Sequence, residues 1–217
     1  MSSISRSPED LNGVFVSHEH SDHIKGIGPL VRKHKIPLYI NRATYHASSL
    51  GKIPEECINF AETGSYVNIG NCEVNLTHKE HDAVDPVAHV VEANNKSLGV
   101  FMDIGKPCNN VRSIFPKLDA AFLEFNHDVD MLLQGSYPWF LKHRIAGEKG
   151  HLSNFDACNL INNHSDRLRQ VFFSHMSQNN NSEEKVSLTY DTLVKPELKS
   201  LSTSFAGQFE AMPLRKI

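Results

Sequence analysis

The chain has 217 residues, of which 40% are hydrophobic and 22% charged, and its formal net charge is −3. This length and composition suit one globular domain over residues 1–217, and the charge is not that of a polycation that binds nucleic acid non-specifically. No segment approaches the roughly 20 apolar residues of a membrane helix, and the polar N-terminus lacks a signal-peptide core. We therefore expect a cytoplasmic, single-domain protein.

Cysteine and histidine usage narrows the chemistry. The 4 cysteines are far apart and form no CxxC pair, which is typical of reduced, buried thiols rather than a disulfide framework or a zinc knuckle. The 13 histidines are more informative, because imidazole is the commonest metal ligand and several of them neighbour acidic residues.

The hydrophobic pattern predicts strands first and then strands that alternate with helices. We expect strands at 14–17, 37–40, 65–69, 73–77, 89–93, 98–103, 118–125 and 171–174, and helices at 24–34, 42–50, 137–146, 153–163 and 183–193. Polar and metal-type residues recur where strands stop. The pattern therefore predicts an α/β fold built in layers, with an active site at strand ends.

The densest chemical signal is the segment His18-Glu19-His20-Ser21-Asp22-His23, directly after the first predicted strand. Four potential ligands in so short a segment exceed what one tetrahedral ion usually takes, so two neighbouring ions explain the cluster better. His18 and His20 would hold one ion, and Asp22 and His23 the other. The alternative is a surface turn that happens to be rich in histidine and aspartate.

The run His-x-His-x-Asp-His resembles the signature of the metallo-β-lactamase superfamily. The resemblance implies an αββα sandwich of two mixed sheets flanked by helices. It also implies two divalent ions, for which zinc, manganese and iron all suit the ligands. The first ion would take three histidines, the second an aspartate and two histidines, and a last aspartate would bridge both: His18, His20 and His81; Asp22, His23 and His175; Asp103.

Later segments resemble the YycJ/WalJ-type branch of this superfamily, which is related to the tRNase Z and RNase J nucleases. The segments that carry the resemblance are Glu124–Asp128, Tyr137–Ile145, Gly150–Asn154 and Ser174–Asn180. The third of these resembles the Gly-His-Ser-Thr loop of tRNase Z, whose histidine sits over the reacting phosphate. The resemblance nominates His151 as general acid or oxyanion stabiliser, and an exposed histidine in a helix N-cap region is the alternative.

Four other residues are candidates for supporting roles. Glu124 and His127 are candidates to support the metal ligands. Glu124 would hydrogen-bond to a ligand histidine, with an ordinary strand-end salt bridge as the alternative. Lys142 and Arg144 would contact phosphates of the substrate, with an exposed helical face as the alternative.

Together these features predict a dinuclear hydrolase in which a metal-bridging hydroxide attacks a phosphodiester, with Asp22 orienting the hydroxide and His151 protonating the leaving oxygen. By resemblance the substrate is nucleic acid and the enzyme a 5′–3′ DNA exonuclease. The alternatives are a thioesterase similar to glyoxalase II or another small-ester hydrolase, a di-iron enzyme that reduces oxygen or nitric oxide, and a metal-binding remnant without turnover.

The chain also departs from the family pattern. Family members usually begin with a strand hairpin before the first metal strand, whereas only about a dozen residues precede Val14. The N-terminal strands are therefore expected to be missing, and the exposed sheet edge makes a homodimer plausible. The interval between Asp103 and His175 is too short for an inserted β-CASP-like domain.

Overall fold

The computed structural model of the protein describes residues 6–217. These residues form two compact units. The first comprises the described residues up to His78 together with Asp82–Asn94, and the second comprises Lys79–His81 together with Asn95–Ile217. The single domain expected over residues 1–217 stays a prediction. Among the described residues, no helix has the length and apolar character needed to cross a membrane.

The first unit contains a parallel sheet and an antiparallel set of strands. Its elements are β1 (Val14–Phe15), α1 (Ser21–Ile24), α2 (Ile27–His34), β2 (Leu38–Ile40), α3 (Arg42–Ala47), β3 (Ile58–Phe60), β4 (Tyr66–Ile69), β5 (Cys72–His78) and β6 (Val87–Ala93). Strands β1, β2 and β3 pair in parallel in that order, and β4, β5 and β6 pair as antiparallel neighbours.

Helix α2 shows how the local sequence builds this unit. Ile27 and Val31 lie one helical turn apart and pack into the core that Leu38 and Ile40 of β2 also enter. Lys35 ends the helix in the left-handed conformation, with φ of 54°. The helix and the parallel sheet therefore share one apolar core.

The second unit is built on parallel strands in the order β7-β8-β9-β10. Its elements are β7 (Lys96–Phe101), α4 (Asn109–Ile114), β8 (Ala120–Glu124), α5 (Val129–Gln134), α6 (Trp139–Ala146), α7 (Asn154–His164), β9 (Gln170–Ser174), α8 (Glu183–Leu193) and β10 (Ser202–Phe205). Because parallel strands end at the same edge of a sheet, the residues at the ends of β7, β8 and β9 meet there.

The structure confirms an α/β arrangement with sheets and flanking helices. Every predicted helix and strand is present, although the helix predicted at 24–34 is observed as α1 and α2. Strands β3 and β10 and helices α4 and α5 were not predicted. They span only three to six residues, which is too short to show a hydrophobic period.

Asp119 stabilises the start of the parallel sheet in the second unit. Its buried carboxylate accepts hydrogen bonds from the Ser97 backbone N–H at 2.9 Å and from the Arg167 guanidinium at 2.8 and 3.2 Å. Burial alone would raise the pKa of Asp119, but the hydrogen bonds from Ser97 and Arg167 outweigh it and lower this pKa. The carboxylate thus ties β7 to the segments that lead into β8 and β9.

Replacing Asp119 by alanine should lower the free energy of unfolding by about 1–3 kcal/mol, because the buried Ser97 amide loses its acceptor. Urea denaturation at neutral pH measures the change. The control is Asp166→Ala, which changes an exposed aspartate and should stay within about 0.5 kcal/mol of the wild type.

The stabilisation by Asp119 should depend on pH. A folded-state pKa below the unfolded pKa of about 3.9 stabilises the fold above that pH, and this stabilisation is lost as the pH falls through the folded pKa. The difference between wild type and Asp119→Ala should therefore shrink at about pH 3, and an equal difference at both pH values would contradict this role.

Candidate metal centre

Three imidazole rings pack together in the first unit, in the segment that follows β1. The ring centroid of His18 lies 4.6 Å from that of His20 and 4.2 Å from that of His23. Three charged rings this close would repel one another, and neutral imidazole is the form that binds metal. The packing therefore suits neutral rings that bind divalent cations.

The Ser17 hydroxyl orients two of these rings. Its Oγ lies 3.0 Å from Nδ1 of His18 and 3.1 Å from Nδ1 of His23. A hydrogen bond at Nδ1 fixes the ring plane and makes Nε2 the nitrogen to offer to a metal. This role of Ser17 was not predicted, because a serine before the motif looks like any strand-end serine.

Carboxylates complete the cluster in the first unit. Helix α1 begins at Ser21, so Asp22 and His23 both lie in its first turn. Oδ2 of Asp22 lies 3.5 Å from Nε2 of His23. His20 Nε2 lies 4.0 Å from Oδ1 of Asp82, a residue that sequence reasoning did not single out. The structure thus brings the four predicted ligands of this segment into one cluster with Asp82 beside it.

A second cluster lies at the strand ends of the second unit. Asp103, Glu124, His151 and His175 each offer a donor atom, and these atoms lie within 4.8 Å of one another. Oδ1 of Asp103 lies 3.6 Å from Nε2 of His175 and 3.9 Å from Nε2 of His81. This mixture of imidazole and carboxylate donors is typical of divalent transition-metal sites.

Two of these candidate ligands have an unusual backbone conformation. Asp103 has φ of 52° and His175 has φ of 54°. The left-handed region costs a non-glycine residue about 1–2 kcal/mol, and such strain concentrates at functional sites. Each residue lies within two positions of the end of a parallel strand, so each strained turn places its side chain at the same edge of the sheet.

Glu124 organises the histidines of the second unit. Its side chain is completely buried, and Oε1 accepts hydrogen bonds from Nδ1 of His151 and of His175, both at 2.8 Å. Oε2 accepts from the backbone N–H groups of Ile104 at 2.7 Å and Leu152 at 3.2 Å. Burial alone would raise the pKa of Glu124, but the hydrogen bonds from the two histidines outweigh it and lower this pKa to about 2. The ionised carboxylate therefore holds both rings with Nδ1–H directed at it.

His81 and His151 are fixed by different partners. Nδ1 of His81 donates to the Gly150 carbonyl at 3.1 Å, which leaves Nε2 on the side of Asp103. For His151, burial alone would lower the pKa, but the hydrogen bond to Glu124 outweighs it and raises the pKa. A raised pKa favours the protonated imidazolium, which is the form that a general acid needs.

The remaining predicted residues lie outside these two clusters. His127 is buried, its Nδ1 has no hydrogen-bond partner among residues 6–217, and burial lowers its pKa. Lys142 is also buried, and its ammonium donates to the Leu133 carbonyl at 2.7 Å, so this side chain has a role within the fold. Arg144 is exposed on the same helix.

A buried amide pair joins the loops that carry His151 and His175. Asn154 and Asn181 each donate Nδ2–H to the other's Oδ1 at 2.9 Å, and Asn181 also donates to the Phe125 carbonyl at 2.7 Å. This pair was not predicted from the sequence. The pair fixes the two histidine loops against the segment that follows β8.

Comparison with known proteins identifies the family of the chain. A family model described as metallo-beta-lactamase superfamily matches residues 1–52. The chain is 33% identical over 189 residues to exodeoxyribonuclease YycJ of Bacillus anthracis, a match that covers 86% of this chain and 72% of that protein. It is 35% identical over 194 residues to exodeoxyribonuclease WalJ of Streptococcus pneumoniae serotype 2 strain D39, covering 87% of this chain and 72% of that protein.

A solved structure shows the same fold. The metallo-β-lactamase fold protein YhfI from Bacillus subtilis matches with a TM-score of 0.68 at 15% identity, over 92% of this chain and 76% of that chain. The fold class predicted from the sequence is therefore confirmed. Histidines whose Nδ1 atoms hydrogen-bond to Ser17, Gly150 and Glu124, with carboxylates beside them, fit the divalent ions that such enzymes use. The chain belongs to the YycJ/WalJ family of the metallo-β-lactamase superfamily and is a metal-dependent hydrolase.

Proposed function

We propose that the protein is a dinuclear exonuclease that removes nucleotides from DNA in the 5′–3′ direction. The relatives that are 33% and 35% identical carry the name exodeoxyribonuclease. The structural observation that carries the proposal is the buried Glu124 carboxylate, which holds His151 and His175 by two hydrogen bonds of 2.8 Å. A single buried charge thus orients both the proposed proton donor, His151, and the proposed metal ligand, His175.

The proposed ligand set follows the order of the family along the chain. When bound, two divalent ions lower the pKa of a water molecule so that it becomes a nucleophile near neutral pH. The family order and the donor chemistry within each unit support zinc, manganese or iron as the metal. One ion would be held by three histidines, the other by an aspartate and two histidines, and the last aspartate would serve both: His18, His20 and His81; Asp22, His23 and His175; Asp103.

The protein's own residues position the substrate and move the proton. Asp22 accepts a hydrogen bond from the attacking water and so directs it at phosphorus. Because Nδ1 of His151 is directed at Glu124, Nε2 is the atom that gives its proton to the leaving oxygen. The negative charge of Glu124 stabilises the imidazolium until that transfer. A cytoplasmic location and a homodimer stay predictions.

Digestion of 5′-phosphorylated double-stranded DNA with added manganese or zinc tests the function. The wild type should shorten the labelled strand stepwise from its 5′ end, and His20→Ala should lower the rate by about 100-fold or more because a metal ligand is lost. His46→Ala removes an exposed histidine of α3 in the same unit and should leave the rate unchanged. A folded, metal-loaded wild type that digests no DNA would refute the nuclease proposal and direct attention to thioester substrates.

The Glu124→Gln variant tests the carboxylate that holds the two histidines. The amide keeps the shape of Glu124 but removes its charge, so kcat should fall by about 10–100-fold. The pKa of His151 should also fall, because its hydrogen bond to the carboxylate raises it. A general acid must be protonated, so activity should be lost at a lower pH on the alkaline limb of the pH–rate profile.

The matched control for this variant is Glu148→Gln, which changes a glutamate that is 81% exposed in the same unit. The control should keep both the rate and the pH profile of the wild type. A Glu124→Gln enzyme with an unshifted alkaline limb would show that Glu124 does not set the proton affinity of His151.

Alanine variants of the amide pair test whether the two histidine loops are held together. Asn154→Ala and Asn181→Ala each leave a buried amide without its partner and should lower the free energy of unfolding by about 1–3 kcal/mol. The double variant should cost less than the sum of the two, because the residues share one interaction. Urea denaturation of all four proteins measures this coupling, and strict additivity would contradict it.

A further inference from the structure

Two aromatic side chains stand exposed at the start of α6. Trp139 is 65% exposed and Phe140 is 74% exposed, although each could bury a large apolar area. On the preceding helix α5, Leu133 is 49% exposed. Exposed apolar surface of this kind commonly marks a binding site.

Each of these aromatic residues has a basic residue one helical turn later. His143 follows Trp139 by four positions, with ring centroids 5.9 Å apart, and Arg144 follows Phe140 at the same spacing. The buried ammonium of Lys142 lies 5.2 Å from the centre of the Trp139 ring. We call Trp139, Phe140, His143 and Arg144 the α6 platform.

The α6 platform leads directly to the loop that carries His151. The backbone N–H of His151 donates to the carbonyl of Ile145, in the last turn of α6, at 2.8 Å. A helix of eight residues is about 12 Å long, which is the length of roughly three or four stacked nucleotides at about 3.4 Å each. A short DNA strand that lies along α6 can therefore extend from the platform to His151, the proposed proton donor.

We propose that the α6 platform binds single-stranded DNA, with unpaired bases stacked on Trp139 and Phe140 and phosphates beside His143 and Arg144. The proposal rests on the proposed nuclease function in that it assigns the platform to the same substrate. Aromatic faces flanked by basic side chains suit bases joined by phosphates, whereas two copies of this platform would bring two Arg144 side chains together. Stacking is tolerant of sequence, so the platform adds affinity without base preference.

Tryptophan fluorescence provides a direct test, because Trp139 is the chain's 1 tryptophan. The full chain is titrated with phosphorothioate-linked oligothymidylate, which resists hydrolysis, and with an abasic strand of the same length. Stacked bases should quench the emission in a saturable way, and the abasic strand should bind more weakly and leave the emission nearly unchanged.

Two variants give the matched comparison. Phe140→Ala keeps the fluorescent reporter and removes one stacking surface, so Kd for the oligothymidylate should rise about tenfold. Phe209→Ala removes an aromatic ring that is 83% exposed elsewhere in the chain, and its Kd should equal that of the wild type.

Three results would overturn the proposal. One is the absence of quenching, the second is equal quenching by the abasic strand, and the third is a Phe140→Ala protein that binds as tightly as the wild type. Emission that shifts to the blue with protein concentration alone, with a dimer mass by light scattering, would assign the platform to a second copy of the chain. Quenching by a chain that digests no DNA would support the platform and refute the nuclease function. Digestion without quenching would support the nuclease function and refute the platform.

Discussion

A carboxylate can stay ionised in a protein interior only when hydrogen bonds replace its lost water, and Glu124 meets this condition with four donors. Two donors are the histidines of the candidate centre, and two are backbone amides of the turns that follow β7 and precede α7. Any shift of one turn or ring would leave part of a buried charge unsatisfied. The geometry of the second unit's cluster therefore depends on this one residue more than on any other.

Local spacing explains why part of the site could be predicted from the sequence. His18, His20, Asp22 and His23 lie within one turn after a strand, so short-range geometry alone brings them together. The more distant candidates Asp103 and His175 could be nominated only by family order. The edge formed by the parallel strands then shows why residues so far apart in sequence end at one place.

Tertiary contacts explain what the sequence could not reveal. The partner of Asn154 is 27 residues away and that of Glu124 is 51, and no periodicity encodes such pairings. Lys142 was expected to contact a phosphate of the substrate, but its long stem reaches back and its ammonium donates to the carbonyl of Leu133. Helices as short as α4 and α5 are decided by packing rather than by propensity.

The sharing of Oε1 of Glu124 by His151 and His175 has a thermodynamic consequence. A cation held at His175 draws on the same negative charge that keeps the proton on His151, so metal and proton compete for one carboxylate. This coupling is reciprocal. The factor by which bound metal lowers the proton affinity of His151 equals the factor by which the proton lowers the metal affinity. A metal ion bound at this cluster would therefore bind more weakly as the pH falls, and its binding would lower the pKa of His151.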